Sequence, residues 1–288
     1  MFELQIVSGL VTASILFLLA SGLSLIFGVC HVMNLAHGAF FLFATFLAYT
    51  ITNLLAATVV GFWVALFLAP LIVAAIGAVA EVTLFRRLYK ANILLQVLPT
   101  IALIFIFSDV IRFFWGLEPL AVSIPDGFNF PIEILGVLFP SYYAVVVAAG
   151  AVMAIGIWIV VFRTDWGLLI RAISQDRDMA AALGVNANRI FTSVFALGTG
   201  LAAVGGVLFA PIGGANLGTD MDMVVEAFAV VVVGGLGSIW GSALAALLIG
   251  MLKAFGILVM PQFALAFVFA LMVLVLILRP RGLFGARE

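Results

Sequence analysis

Few side chains in this sequence could carry covalent chemistry, and their spacing offers them no partners. The two histidines, His31 and His37, have no cysteine, aspartate or glutamate nearby at metal-ligand spacing. No GxSxG or HExxH motif is present, so hydrolysis within a membrane has no candidate machinery. Lys90 and Lys253, the only lysines, follow no GxxxxG pattern, which excludes a Walker-type ATP site in this chain. Cys30 is alone, so neither an intrachain disulfide nor a cysteine-rich metal site can form, and its expected place is that of a small buried hydrophobe. No catalytic residue, metal or cofactor site is therefore expected here. Binding and movement remain as functions.

Several polar residues suit those functions. Asn34 and His37, in NLAHG at the start of the second helix, could line a path for an amino acid; equally, they could be a helix-start cap and a hydrogen-bonded histidine. Glu226 stands where it could meet a substrate ammonium group arriving from outside. Asp109 and Arg112, three apart on one helix, can neutralise each other near its outer end. The longest polar stretch, Arg163 to Arg189, lies between two strongly apolar segments and is longer than a mere connection requires. Within it Ser174 or Asp176 can cap a short helix through Asp178–Leu183, with Gly184 ending it. Small residues at Ala180–Ala182 would form a contact face on a soluble partner, and the charges of Arg177 and Asp178 would fix register at its rim.

The elements that must hold these residues are set by composition. Hydrophobic residues make up 66% of the 288 and charged residues only 9%, against about 25% charged in an ordinary globular domain. Apolar runs reach the roughly 20 residues needed to cross a hydrocarbon layer. They are apolar on every side, which excludes the alternation of a membrane barrel. The chain thus reads as an all-α polytopic integral membrane protein, a single domain over 1–288, with lipid as its main solvent. The formal net charge of −1 and the absence of a basic or acidic tail leave no case for nucleic acid. The N-terminal segment lacks a basic start and reads as a retained first helix rather than a cleaved signal.

Helices are expected over about 4–28, 36–55, 61–84, 93–113, 142–162, 190–211 and 262–279. Between the last two, residues 224–258 form an eighth apolar segment, broken at Gly234-Gly235-Leu236-Gly237-Ser238. The basic clusters Arg86/Arg87/Lys90, Arg163/Arg171/Arg177/Arg189 and Arg279/Arg281/Arg287 belong in the cytoplasm by the positive-inside rule. The loops 115–140 and 213–223, acidic and without Lys or Arg, belong outside, and Met1 with them. Parity then requires 224–258 to cross twice or not at all. Either course brings Gly235 and Gly237 close to the working core, where they join the candidate path. Trp115, Tyr142, Tyr143, Trp158 and Trp166 mark helix ends as interfacial anchors. Gly198, Ala202, Gly206 and Ala210 make a smooth stripe for close helix packing, and Gly237 and Gly241 repeat the device.

Four blocks carry a resemblance: GLSLIFGVCHVMNLAHGAFF at 22–41, GLLIRAISQDRDMAAALGVNANRI at 167–190, VVVVGGLGSIWGSALAALLIG at 230–250 and RPRGLFG at 279–285. In these the chain resembles the branched-chain amino-acid type ABC importer permeases, the LivH and LivM group, and more closely the LivH-like subunit. The resemblance implies a multi-pass protein of a bacterial inner membrane. It also implies a partner LivM-like permease, two cytoplasmic ATPase subunits carrying ATP and Mg, and a periplasmic substrate-binding protein. The loop helix at 176–185 would then be the coupling helix, with Gly184 in the position of the glycine of the permease EAA loop. Asp178-Met179-Ala180-Ala181 stands in place of Glu-Ala-Ala, so the small residues and the glycine are retained. Asp176, Arg177, Asp178, Ala180, Ala181 and Gly184 are the residues this assigns to ATPase coupling. The rival reading from the residues alone is a self-sufficient secondary transporter or channel, which paired intramembrane carboxylates would favour.

Overall fold

A computed structural model describes residues 2–89, 91–134 and 137–285. Lys90 and Arg287, two of the basic residues used for orientation, and Met1 lie outside the described residues. The chain forms eleven α-helices among the described residues: α1 (Phe2–Cys30), α2 (His37–Leu54), α3 (Val59–Thr83), α4 (Ile93–Trp115), α5 (Ser141–Arg163), α6 (Asp165–Gln175), α7 (Arg177–Ala182), α8 (Ala187–Gly213), α9 (Thr219–Gly234), α10 (Ile239–Val259) and α11 (Ala264–Leu278). Eight helical segments are long and apolar enough to cross a membrane. This is a multi-pass membrane protein.

Helix ends follow local chemistry. The side chains of Thr58, Asn92, Thr164, Asp176, Asn186 and Ser238 each accept a backbone N–H at the start of a helix, the donors a helix's first turn leaves free. Three spanning helices, α1, α2 and α8, form the buried centre: 72–78% of each apolar window is hidden inside the protein, against 17–39% for the other five. The stripe on α8 explains how they meet. Gly198 and Gly206 press on α1 and α2 so closely that no side-chain carbon fits between Gly206 and the Phe41 carbonyl. Ala202 and Ala210 are fully buried beside them. The helices α3, α4, α5, α10 and α11 turn large apolar side chains such as Phe67, Phe105, Ile155 and Ile277 outward, as a lipid-facing shell does.

Contacts sort the connections into two ends. Arg86 donates to Thr192 Oγ1 at 2.6 Å, and the guanidinium of Arg177 lies 4.9 Å from the Phe191 ring, so both join the Arg189 end of α8. At the opposite end Leu120 and Ala215 exchange backbone hydrogen bonds of 3.0 and 2.8 Å, tying the two acidic loops together. The 115–140 connection also contains an element that apolar counting does not register. A short antiparallel hairpin, β1 (Pro131–Ile134) and β2 (Val137–Pro140), pairs Ile132 with Phe139 and Glu133 with Leu138.

The Gly-rich break joins α9 to α10 at the basic end. Beside it lies the C-terminal segment, where Leu283 N–H donates to Val233 O at 2.9 Å and Phe284 N–H to Gly234 O at 3.0 Å. Gly235 has φ +103°, and a side-chain carbon there would stand 2.6 Å from Gly285 N, so only glycine fits. Between the Ala215 end and the Arg281 end, α9, α10 and α11 therefore run antiparallel in turn. With 16 residues α9 is roughly 24 Å long, shorter than a hydrocarbon core of about 30 Å. It also begins at Thr219, five residues before the expected start of the broken stretch. Phe2 packs against Phe255 near the far end of α10, with ring centroids 6.1 Å apart, which places the start of α1 at the Ala215 end.

One connection is unusual for a membrane protein. After Cys30 the chain turns at His31, φ 55°, and runs without helix through Ala36 before α2 begins. His37 is hydrogen-bonded to the carbonyl of Leu19, eleven positions before the end of α1 and so roughly 16 Å back along it. Residues 31–36 thus re-enter the protein at membrane depth. Val32, Asn34 and Ala36 are buried, as backbone without helical bonds requires there.

Candidate functional site: the short helices at the basic end and the buried polar core

The polar stretch 163–189 holds two helices where one was expected. The additional helix, α6, is strongly amphipathic. Thr164 caps it by accepting Gly167 N–H at 3.1 Å, and Gly167, Ile170 and Ile173 face the bundle. Ser174 is a residue of α6, its hydroxyl donating to Arg171 O at 2.9 Å, and the cap of the next helix belongs to Asp176. Asp176 Oδ1 accepts Met179 N–H at 2.9 Å and starts α7. That helix ends in two reverse bonds, Gly184 N–H to Ala181 O and Val185 N–H to Ala180 O, both 3.0 Å, with Gly184 at φ +89°. Six residues are too few for a stable helix in isolation. Both ends must be fixed by the chain itself, and they are.

The two faces of α7 differ. Arg177 and Ala180, three apart, look inward: Ala180 is 4% exposed and Arg177 covers Phe191. Asp178, Met179, Ala181, Ala182 and Leu183 look outward. The expected contact face at Ala180–Ala182 is corrected accordingly. Ala180 belongs to the inner face, and the outer crest is built from Met179 (59% exposed) and Leu183 (79%). Large apolar side chains are thus held out on a capped helix at the Arg189 end of the bundle.

Behind α7 lies a polar cluster that the apolar reading of helix 61–84 passes over. Glu81 is fully buried near the end of α3. Its Oε2 accepts from Arg86 Nη2 at 2.9 Å and from the Thr192 hydroxyl at 2.7 Å, while Oε1 accepts from the Tyr89 hydroxyl at 3.0 Å. The Tyr89 ring meets Phe191 edge-on at 4.9 Å, the same ring that Arg177 covers. Burial pushes the Tyr89 phenol well above its ordinary range, which keeps it a donor to Glu81. The signal in the sequence is a lone carboxylate five residues before Arg86, at the end of an apolar run. Its third partner, 111 positions away, leaves no local trace.

The proposed path residues do not share one place. Asn34 and His37 are fully buried where residues 31–36 re-enter; His37 Nε2 lies 3.0 Å from Leu19 O. Both amide atoms of Asn34 and Nδ1 of His37 have no hydrogen-bond partner. Glu226, 2% exposed, forms an ion pair of 2.5 Å with Lys253 of α10, and its second oxygen has no partner. Lys253 is the residue sequence reasoning passed over here. Gly235 and Gly237 sit at the α9–α10 turn, Gly235 beneath the C-terminal segment and Gly237 against Gly28 of α1. Asp109 and Arg112 form a long, exposed pair at 3.6 Å, which suits mutual neutralisation at a helix end.

Unsatisfied buried polar atoms are uncommon in folded proteins, and Asn34 and His37 hold three of them at the non-helical re-entry. Asn34, His37 and Glu226 bring polar groups into the interior of a multi-pass membrane protein.

Comparison with known proteins agrees. A family described as the branched-chain amino acid transport system permease component matches residues 5–276. The high-affinity branched-chain amino acid transport system permease protein BraD of Pseudomonas aeruginosa is 30% identical over 294 residues, covering 99% of this chain and 96% of that protein. LivH of Escherichia coli, named for the same system, is 26% identical over 312 residues, covering 100% and 96%. The solved structure of PsaBC from Streptococcus pneumoniae in complex with Fab overlaps 92% of this chain and 87% of that one, with TM-score 0.47 and 14% identity, too distant to carry an argument. The chain belongs to the permease family of branched-chain amino acid transport systems.

Proposed function

We propose that this chain is one of two permease subunits of a binding-protein-dependent ABC importer in a bacterial inner membrane. It moves branched-chain amino acids, or a related small polar solute, on energy from two cytoplasmic ATPase subunits that carry ATP and Mg. The second permease is a LivM-like subunit or another copy of this chain. The observation that carries the reading is α7: six residues, capped at both ends, with Met179 and Leu183 held outward and Arg177 holding the inner face to α8. Asp176 and Gly184 fix its two ends, Asp178 and Ala181 flank the crest, and Ala180 seats it. A periplasmic binding protein docks on the joined loops 115–140 and 213–223. Asn34, His37 and Glu226 are the polar groups a solute meets, and the glycines at 235 and 237 let α9 and α10 shift. Covalent chemistry takes place elsewhere, on the ATPases.

The test is Leu183→Asp alongside Gly184→Arg in the assembled complex. Leu183 is exposed, so its substitution leaves folding intact; Gly184→Arg adds both bulk and strain at φ +89°. Both should insert normally and abolish substrate-stimulated ATP hydrolysis, whereas unchanged coupling in Leu183→Asp rejects the assignment. Uphill, ion-driven uptake by the purified chain alone in liposomes establishes the rival, a self-sufficient transporter.

A further inference from the structure

A cavity of about 300 Å³ opens at the cytoplasmic end between α1, α5, α6 and the α9–α10 turn, apart from α7 and from the buried pair. Its polar lining comes from Ser24, Arg171, Ser174 and Ser238. Ser24 lies six positions before the end of α1, roughly 9 Å into that span. It is fully buried, and its hydroxyl has no partner. Arg171 caps the last turn of α5 through the Val161 carbonyl and rests 5.6 Å over the Phe162 ring. That carbonyl occupies one of five guanidinium N–H donors. No carboxylate among the described residues lies within ion-pair distance of Arg171. The cavity therefore offers an uncompensated cation and an unmatched hydroxyl. Both call for an oxyanion that carries further hydroxyl groups.

The surroundings identify the source. Phe162 (42% exposed), Leu236 (48%) and Trp240 (57%) line the same cavity and lie bare. A soluble anion gains nothing from such a rim, whereas acyl chains do. Amphipathic α6, which carries Arg171, lies where helix ends meet cytoplasmic head groups. We infer that this cavity binds an anionic glycerophospholipid of the cytoplasmic leaflet. Its phosphate sits on Arg171, its head-group hydroxyls meet Ser24, and its chains lie along Phe162 and Trp240. The inference stands apart from the import reading, because it concerns the isolated chain in lipid.

The experiment titrates the purified full-length chain in detergent with dioleoylphosphatidylglycerol, dioleoylphosphatidylcholine or inorganic phosphate, following thermal stabilisation and native mass spectra. Phosphatidylglycerol should stabilise the wild type and remain bound, phosphatidylcholine should act weakly, and phosphate should do nothing. Arg171→Gln should weaken the half-saturation point about tenfold, the loss of one charge-assisted contact. Ser24→Val should weaken it about threefold; because it removes an unmatched buried hydroxyl, it keeps the test available should Arg171→Gln fail to fold. An equal response of both variants and wild type overturns the site. Stabilisation by inorganic phosphate equal to that by phosphatidylglycerol overturns the lipid source and leaves the oxyanion site standing.

Discussion

Replacing Lys253 by methionine leaves the carboxylate of Glu226 inside a membrane protein with no cation beside it. The side chain of Glu226 is 3% exposed and that of Lys253 is 24%, so the two partners do not bear the loss equally. A stranded Glu226 has no route to water. Removing one member of a buried pair costs about 3–5 kcal/mol, and Lys253→Met belongs at the upper end. Glu226→Gln leaves a lysine that can extend its ammonium toward solvent, so its cost falls nearer about 1–2 kcal/mol. Removing both charges, as Glu226→Gln with Lys253→Met, returns stability to within about 1 kcal/mol of wild type, because two desolvated charges and their attraction disappear together. At about 2–4 °C per kcal/mol, Lys253→Met should melt roughly 8–20 °C lower in detergent. The double variant should melt near the wild type. If instead its loss equals the sum of the two single losses, the groups do not interact as the 2.5 Å contact requires, and the reasoning fails. Solute uptake by the double variant then separates two roles. Recovery of stability without transport assigns the charges to the solute path, and recovery of both assigns them to packing.

Other outcomes follow from named contacts. Glu81→Gln keeps the shape but weakens the bonds from Arg86, Tyr89 and Thr192; a loss of about 1–3 kcal/mol in chemical denaturation is expected, and none is expected from Arg87→Gln on the exposed side. Gly206→Val puts a branched side chain where the Phe41 carbonyl lies, so folded yield in the membrane should fall sharply while Gly156→Val, in open space, should be tolerated. Cys30, 6% exposed, should resist maleimide in intact vesicles. Against that silent background Ser123→Cys should label only from outside and Gln175→Cys only from the cytoplasm; the reverse pattern defeats the orientation.

Most of the fold is legible in the residues because membrane helices advertise themselves by length. The runs expected at 61–84, 142–162 and 190–211 lie within a few residues of α3, α5 and α8. Helix α6 escapes such counting because an amphipathic helix alternates polar and apolar residues over a short span, which reads as loop when the measure is a twenty-residue apolar run. The hairpin of β1 and β2, four residues in each strand, is too short to show. The site is only half legible. Asp176 and Gly184 announce the ends of α7 through capping chemistry that acts within four residues. Which side of α7 faces out depends on Phe191, and the partners of Glu81 and Glu226 lie up to 111 and 27 positions away. Such pairings are decided by packing, and local pattern holds no record of them.

The C-terminal segment has a bearing on how the protein is made. Leu283 and Phe284 hold the end of α9, yet they leave the ribosome 50 positions after Val233 and Gly234, behind the whole of α10 and α11. The bend between α9 and α10 therefore waits, unlatched, until the last helix has been threaded into the bilayer. A reporter fused at Leu278 interrupts that final step, while one placed after Gly285 lets the clasp shut.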